Sequence, residues 1–196
     1  MPTSHEKEQP RDHSRLRKAA VVEMLHRYIP AQGEEMGHKN HILSLLESSP
    51  GPFAPQSFSP GHVTASALIF DDKARHVLLI HHKGLKQWLQ PGGHVDPEDG
   101  CLVDTVVREV QEEVGLLLPK SAAQLFDVDV HEIPAVGDDP QHLHFDFRFL
   151  FRCKQSSVQA ASDATDARWF PLSEAAKLSR NEGMKRLFKK CAELNT

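Results

Sequence analysis

Cysteine, tyrosine and tryptophan are scarce in this 196-residue chain, at three, one and two copies. The cysteines, Cys101, Cys153 and Cys191, are odd in number and far apart, which argues against a disulfide framework and suits a reducing cytoplasm. With no C-x-x-C pair there is also no basis for a structural zinc knot. No apolar run approaches the roughly 18 residues of a membrane span, and Met1 to Arg15 lacks the apolar core of a signal peptide, so a cytoplasmic protein without a membrane partner is expected. Positive charge is in deficit as well: 23 Lys and Arg face 27 Asp and Glu, a net charge of -4, against general nucleic-acid binding.

What is present is an ordinary globular composition, 39% hydrophobic and 26% charged, long enough for one domain with an appendage. Residues 1–60 read as that appendage. Leu16, Ala19, Ala20, Val22, Leu25 and Ile29 recur at helical spacing, and Ile42, Leu45 and Leu46 mark a second helix, so a hairpin is expected from Ser14 to Glu47. Its apolar stripe needs a cover, either the rest of the chain or a second copy in a homodimer. Ser49-Pro50-Gly51-Pro52 breaks the pattern, and a Pro- and Ser-rich connector runs to Pro60.

From residue 61 to 196 the pattern is that of an α/β domain. Val63, Ala65 and Leu68-Ile69-Phe70 form a strand, a turn follows at Asp71-Asp72-Lys73, and His76 to His82 form its hairpin partner. Trp88-Leu89-Gln90 leads into Pro91-Gly92-Gly93, a loop whose glycines let backbone approach closely. Val103, Val106, Val107, Val110 and Val114 then trace an amphipathic helix ended by Gly115. Alternation predicts strands at Phe126 to Ile133 and His142 to Phe151, each with one wet face. A short strand at Arg168-Trp169-Phe170 precedes helices at Ser173 to Leu178 and Asn181 to Leu194.

On the valine helix Glu109, Glu112 and Glu113 stand at i, i+3 and i+4, so three carboxylates share one flank and repel mildly. A divalent cation relieves that repulsion, and hard oxygen donors select Mg²⁺, with Mn²⁺ as the substitute. Glu-rich helix faces are usually only solvated. Here the context differs, because the triad adjoins Arg108 and Gly115 on a helix entered from a Pro-Gly-Gly turn.

The run from Gly93-His94-Val95-Asp96-Pro97 to Arg108-Glu109-Val110-Gln111-Glu112-Glu113-Val114-Gly115-Leu116 resembles the Nudix box, G-x5-E-x7-R-E-U-x-E-E-x-G-U with U apolar. Its second half matches at every specified position. In the first half Asp99 stands where the glutamate belongs and eight residues, not seven, separate it from Arg108, which leaves open whether Glu98 or Asp99 takes that place. Trp88 to Val95 and Arg168-Trp169-Phe170-Pro171-Leu172 also resemble Nudix landmarks. The resemblance implies a Nudix-type α/β/α sandwich with a mixed β-sheet, carrying an N-terminal helical extension. It implies Mg²⁺ held by Glu109, Glu112, Glu113 and the Gly92 carbonyl, with Arg108 orienting a glutamate. It implies a hydrolase that cleaves a phosphoanhydride bond in a nucleoside diphosphate linked to another moiety, with Glu109, Arg108 and Glu112 as the catalytic residues. Glu109 is preferred as general base over Asp163 or Asp166. The alternative is a Nudix-fold nucleotide-binding or sensing module without turnover; an isoprenoid diphosphate isomerase would be expected to place a reactive cysteine near the site, unlike Cys101.

The 13 histidines are the unusual feature. If the two long strands are neighbours, His142, His144 and Asp146 with Asp127, Asp129 and His131 form a second polar wall, and His94, His131, His142 and His144 are the candidates for contacting a nucleotide-type substrate. The opposing reading is an ordinary solvated strand face. His81-His82-Lys83 reads as a solvated strand end, and Trp88 and Trp169 as core anchors. A zinc hydrolase built on histidines lacks H-E-x-x-H spacing.

Overall fold

The computed structural model describes residues 10–193 apart from 32, 74 and 180, with side chains from residue 17 onward, so the expectations for residues 1–9, Leu16 and Leu194 lie outside the described parts. The central element is β1 (Gly61–Asp71), buried along its whole length. It pairs in parallel with β6 (His142–Cys153) and antiparallel with β2 (His76–His82) and β4 (Gly92–His94). β5 (Gln124–Ile133) flanks β6, while β3 (Trp88–Leu89) and β7 (Ala164–Pro171) flank β2, completing a seven-stranded mixed sheet.

Alternation along β1 splits the core into two layers. Val63, Ala65, Ala67 and Ile69 face α3 (Leu102–Val114), which buries Leu102, Val106, Val110 and Val114 at four-residue intervals. Leu68 and Phe70 point the other way, against Ala175 of α4 (Leu172–Leu178) and Met184, Leu187 and Phe188 of α5 (Glu182–Glu193). Helices on both faces give the α/β/α sandwich. No helix among the described residues is long and apolar enough to cross a membrane.

The N-terminal hairpin joins the α3 side of this core. α1 (Pro10–Arg27) and α2 (Gly33–Ser48) contribute Val21, Leu25, Ile42, Leu45 and Leu46, none more than 2% exposed. The expected stripe on the first helix holds in part: Leu25 is buried and Val22 half-buried, but Ala19 and Ala20 are exposed, Ile29 lies beyond the helix end at 85% exposure, and Val21 and Tyr28 also turn inward. The Tyr28 hydroxyl donates to Glu35, and Lys190 of α5 donates to the same carboxylate at 2.9 Å, so the inward face is closed by a polar lock. Arg17 of α1 donates to the carbonyls of Asp96, Pro97 and Asp99 in the loop before α3. Ile42→Val should therefore cost about 1 kcal/mol, read as a Tm drop of roughly 2–4 °C, with Ile29→Val neutral. Equal melting of all three proteins would show that the hairpin does not share the core's cooperativity.

Candidate active site

The glutamates are aimed by two constraints. The valine face fixes the rotation of α3, and Asp104 in its first turn accepts from the backbone N–H of Gly100 and Cys101 at 3.0 and 3.1 Å. β4 then brings backbone against the helix: the Gly92 N–H donates to Glu113 Oε2 at 2.8 Å. A Cβ on Gly93 would fall 2.7–2.8 Å from the Glu109 carboxylate, and one on Gly92, with φ of +148°, 2.4 Å from Ser66 Cα. A side chain at Gly93 would take the space of the Glu109 carboxylate, and one at Gly92 would push β4 off β1.

Arg108 is held by Asp99, which it meets with two donors at 3.0 and 3.2 Å, and by the His94 carbonyl at 2.8 Å. It reaches Glu109 at 2.9 Å and Glu112 at 3.3 Å. Asp99, 6% exposed, also accepts from Thr105 Oγ1, whereas Glu98 is exposed. Of the two acids before the helix, Asp99 is thus the one that engages Arg108. Burial works against its ionisation, but Arg108 and the surrounding donors hold its carboxyl below the usual range.

Exposure grades across the triad, from Glu112 at 49% of its side chain to Glu113 at 2%. Burial pushes Glu113 up to about 8; the Gly92 N–H opposes this, and the negative charges of Glu109, Asp163 and Glu112 add to it. Glu109 is raised as well, chiefly by burial, with Arg108 pulling the other way. Carboxylates that are short of positive charge and offer only oxygen make a donor set suited to a hard divalent cation.

The site opens into a cavity of about 740 Å³ that Glu109, Gly92 and Gly93 line at one end. Asp163 lines it too; Asp166 does not, and is paired with Arg168 at 2.5 Å. The floor is the lower half of the sheet face whose upper half packs on α5. Register sets His62, Thr64 and Ser66 of β1 beside His144, Asp146 and Arg148 of β6, and β5 adds His131, with Asp127 and Asp129 continuing the same face beyond the cavity.

This face corrects the expectation of wet strand faces. Asp127, Asp129, Asp146 and Arg148 are all at most 3% exposed. Arg148 donates to Asp146 at 3.1 Å, Asp127 at 3.0 Å and Asp129 at 2.7 Å, and to the Gly183 carbonyl at the start of α5 at 3.2 Å. Arg186 adds bonds to Asp127 and Asp129 at 2.9 and 3.0 Å. Burial opposes the charge on Asp129, yet Arg148 and His131 keep its carboxyl far below the ordinary range; Asp127, more deeply buried, is raised. Asp146 also accepts from Thr64 and Ser66 at 3.1 and 2.8 Å.

Of the candidate histidines, His94, His131, His142 and His144 all line the cavity, and His62, which is not among the sequence candidates, stands with them. The signal for it is the alternation His62-Thr64-Ser66 at the head of an otherwise apolar strand. His82 is half-buried, lines the cavity and accepts from the Gly84 and Leu85 N–H groups, so it is no solvated strand end. Trp88 packs edge-on to Phe170 at 4.8 Å, and Trp169 donates to the Ser156 carbonyl at 3.1 Å; both are half-buried.

Known proteins resemble this chain in sequence and fold. Residues 60–191 match the NUDIX domain. The CMP-5'-(N-acetyl-N-hydroxy-3-aminopropyl)phosphonate hydrolase of Streptomyces rubellomurinus is 26% identical over 76% of this chain and 73% of its own length. The uncharacterized Nudix hydrolase NudL of Klebsiella pneumoniae is 34% identical over 54% of this chain, which spans about half of NudL. Among solved structures, the NUDIX domain of Shewanella oneidensis NrtR complexed with ADP ribose superposes with a TM-score of 0.57 at 20% identity, over 79% of this chain and 98% of that one. A C. elegans Ap4A hydrolase binary complex gives 0.52 at 20% identity, over 67% and 96%. With the domain matched over two thirds of the sequence and the sandwich shared, the chain belongs to the Nudix family and is a hydrolase of pyrophosphate bonds.

Proposed function

We propose that the protein is a Mg²⁺-dependent hydrolase of an anhydride that joins a nucleotide 5'-phosphate to a second phosphoryl or phosphonyl group. The observation that carries this reading is the Gly92-Gly93 backbone set against Glu113 and Glu109 of α3, with Glu109 lining a cavity of about 740 Å³. Glu109, Glu112 and Glu113 would hold the ion, with the Gly92 carbonyl as a further donor. When bound, Mg²⁺ neutralises charge on the anhydride oxygens and acidifies water. Glu109, half-buried and lining the cavity, takes the proton from the attacking water, with Asp163, which lines the same cavity, as the alternative base. Arg108, clamped by Asp99, positions Glu109 and Glu112 rather than touching substrate.

The rest of the cavity takes the groups that flank the anhydride. His131 and His144 contact the part of the substrate beyond the two phosphorus centres, and His94 sits between them and the glutamates. The Streptomyces relative, whose name specifies a CMP-phosphonate, supports a substrate with a nucleoside monophosphate on one side and a small acid on the other. The test is a panel of nucleoside diphosphate sugars, ADP-ribose, dinucleoside polyphosphates, nucleoside triphosphates and nucleotidyl phosphonates, incubated with Mg²⁺ and resolved for nucleoside monophosphate. Release from at least one class is expected. Inertness across the panel would favour a binding module.

A further inference from the structure

We propose that His62, His142 and His144 form a second metal site, distinct from the glutamates, which takes one borderline-soft divalent ion of the Zn²⁺ class. Parallel pairing of β1 with β6 sets His62 directly opposite His144, and the two-residue period puts His142 on the same face. The ring centres stand 4.8 Å (His62 to His144), 5.0 Å (His62 to His142) and 5.1 Å (His142 to His144) apart. One ring nitrogen from each lies within 4.8 Å of the other two. Zn–N bonds of 2.0–2.1 Å in a tetrahedron need nitrogens about 3.4 Å apart, a closure within reach of small ring rotations.

The hydrogen bonds fix which nitrogens are bare. His142 Nδ1 lies 2.7 Å from the Pro140 carbonyl and His62 Nδ1 3.4 Å from the Ser57 carbonyl. A carbonyl only accepts, so Nδ1 carries the proton in each ring and Nε2 is left as a lone pair. Both Nε2 atoms are buried without a hydrogen-bond partner among the described residues, in side chains of residues 1% and 7% exposed. Native proteins rarely leave such acceptors unmet. His144 brings a third ring nitrogen to the same point, and a phosphate would need N–H donors where His62 and His142 present acceptors. A Lewis acid meets all of them. A backbone carbonyl bound to the far nitrogen is also how metal-ligating imidazoles are commonly oriented.

Neutral imidazole selects Zn²⁺, Co²⁺, Ni²⁺ or Cu²⁺ over Mg²⁺, so the two sites in one cavity take different ions. Three protein donors leave the fourth position to water or to a donor atom of the substrate, as in zinc sites that exchange ligands. His94 and His131 flank the cluster, with centres 4.9 Å from His62 and 5.8 Å from His144. The His131 ring is tied to Asp129 at 3.0 Å and lies outside the group whose nitrogens come within 4.8 Å of one another.

The test uses the full chain without a polyhistidine tag, stripped with chelator and kept in excess Mg²⁺ to occupy the glutamates. Calorimetric titration should show one equivalent of Zn²⁺, and Co²⁺ should develop the visible bands of a low-coordinate nitrogen site. His142→Asn and His144→Asn should each weaken Zn²⁺ binding by roughly 100-fold, while Glu113→Gln leaves it unchanged. Melting curves in chelator check that the variants fold; half-buried His144 is the milder change should His142→Asn fail. No Zn²⁺ binding in excess Mg²⁺, or binding lost in Glu113→Gln and kept in both histidine variants, would overturn the proposal. Turnover is not read, so the hydrolase reading stands or falls separately.

Discussion

Glu113→Gln is expected to lower turnover by a factor of about 100 or more, the cost of removing one electrostatic stabiliser of a transition state. The fold should survive, because glutamine keeps the shape and can still accept from the Gly92 N–H. A pH signature separates this residue from a surface carboxylate. Burial raises Glu113 from about 4.5 to about 8 in the metal-free protein, so between those values the unfolded chain has released a proton that the folded chain retains. The stability that this proton confers is fully present below about pH 4.5 and is lost as pH rises through about 8. The glutamine variant should lack that decline. Mg²⁺ should offset it in the parent, since a ligand stabilises the state it binds, and the gain should shrink in the variant. Melting curves at pH 5 to 9, with and without Mg²⁺, beside a turnover assay decide the matter: parent-like turnover in the variant would remove α3 from the chemistry.

The second large effect belongs to stability. Arg148→Met should cost about 3–5 kcal/mol, because it takes one guanidinium from three buried carboxylates, Asp127, Asp129 and Asp146, and leaves the Gly183 carbonyl without that donor. For a chain of this size that is a Tm loss of roughly 10 °C or more. The loss should ease at acid pH, where the stranded carboxylates protonate, and urea titration at two pH values would show it. A variant that melts with the parent would mean that Arg186 and Lys190 compensate the acids unaided.

What is legible in the sequence is what is local. α3 combines a 3.6-residue apolar period with its glutamates and its terminating glycine in a dozen residues, so its existence, its buried face and its charged flank can all be read from the chain itself. The strands from Gly61 and from His142 show by alternation. What alternation cannot say is what covers a polar face: Asp127 and Asp129 read as solvated because Arg148 and Arg186, the groups that make their burial tolerable, come from β6 and from α5. The phase of α1 is legible only in part for a similar reason: Leu25 is read correctly, but Ala19 and Ile29 are as apolar on paper as Val21, and only the position of the sheet selects between them. Asp99 and Glu98 are indistinguishable until the turn of α3 shows which one Arg108 can reach. His62 escapes notice because its company of histidines lies on β6, eighty residues downstream.

That separation bears on how the molecule assembles. Glu109, Glu112 and Glu113 sit on a contiguous segment that can fold as a local unit, but the cavity floor exists only once β1 and β6 have met across an offset of 82 residues. Closing so long a loop carries an entropic cost before any contact repays it. A partly folded chain would then hold its glutamates on a formed helix while the histidines and acids of the floor were still apart, and would have nowhere to seat the rest of a substrate. Substrate binding should accordingly report the completion of folding rather than its beginning.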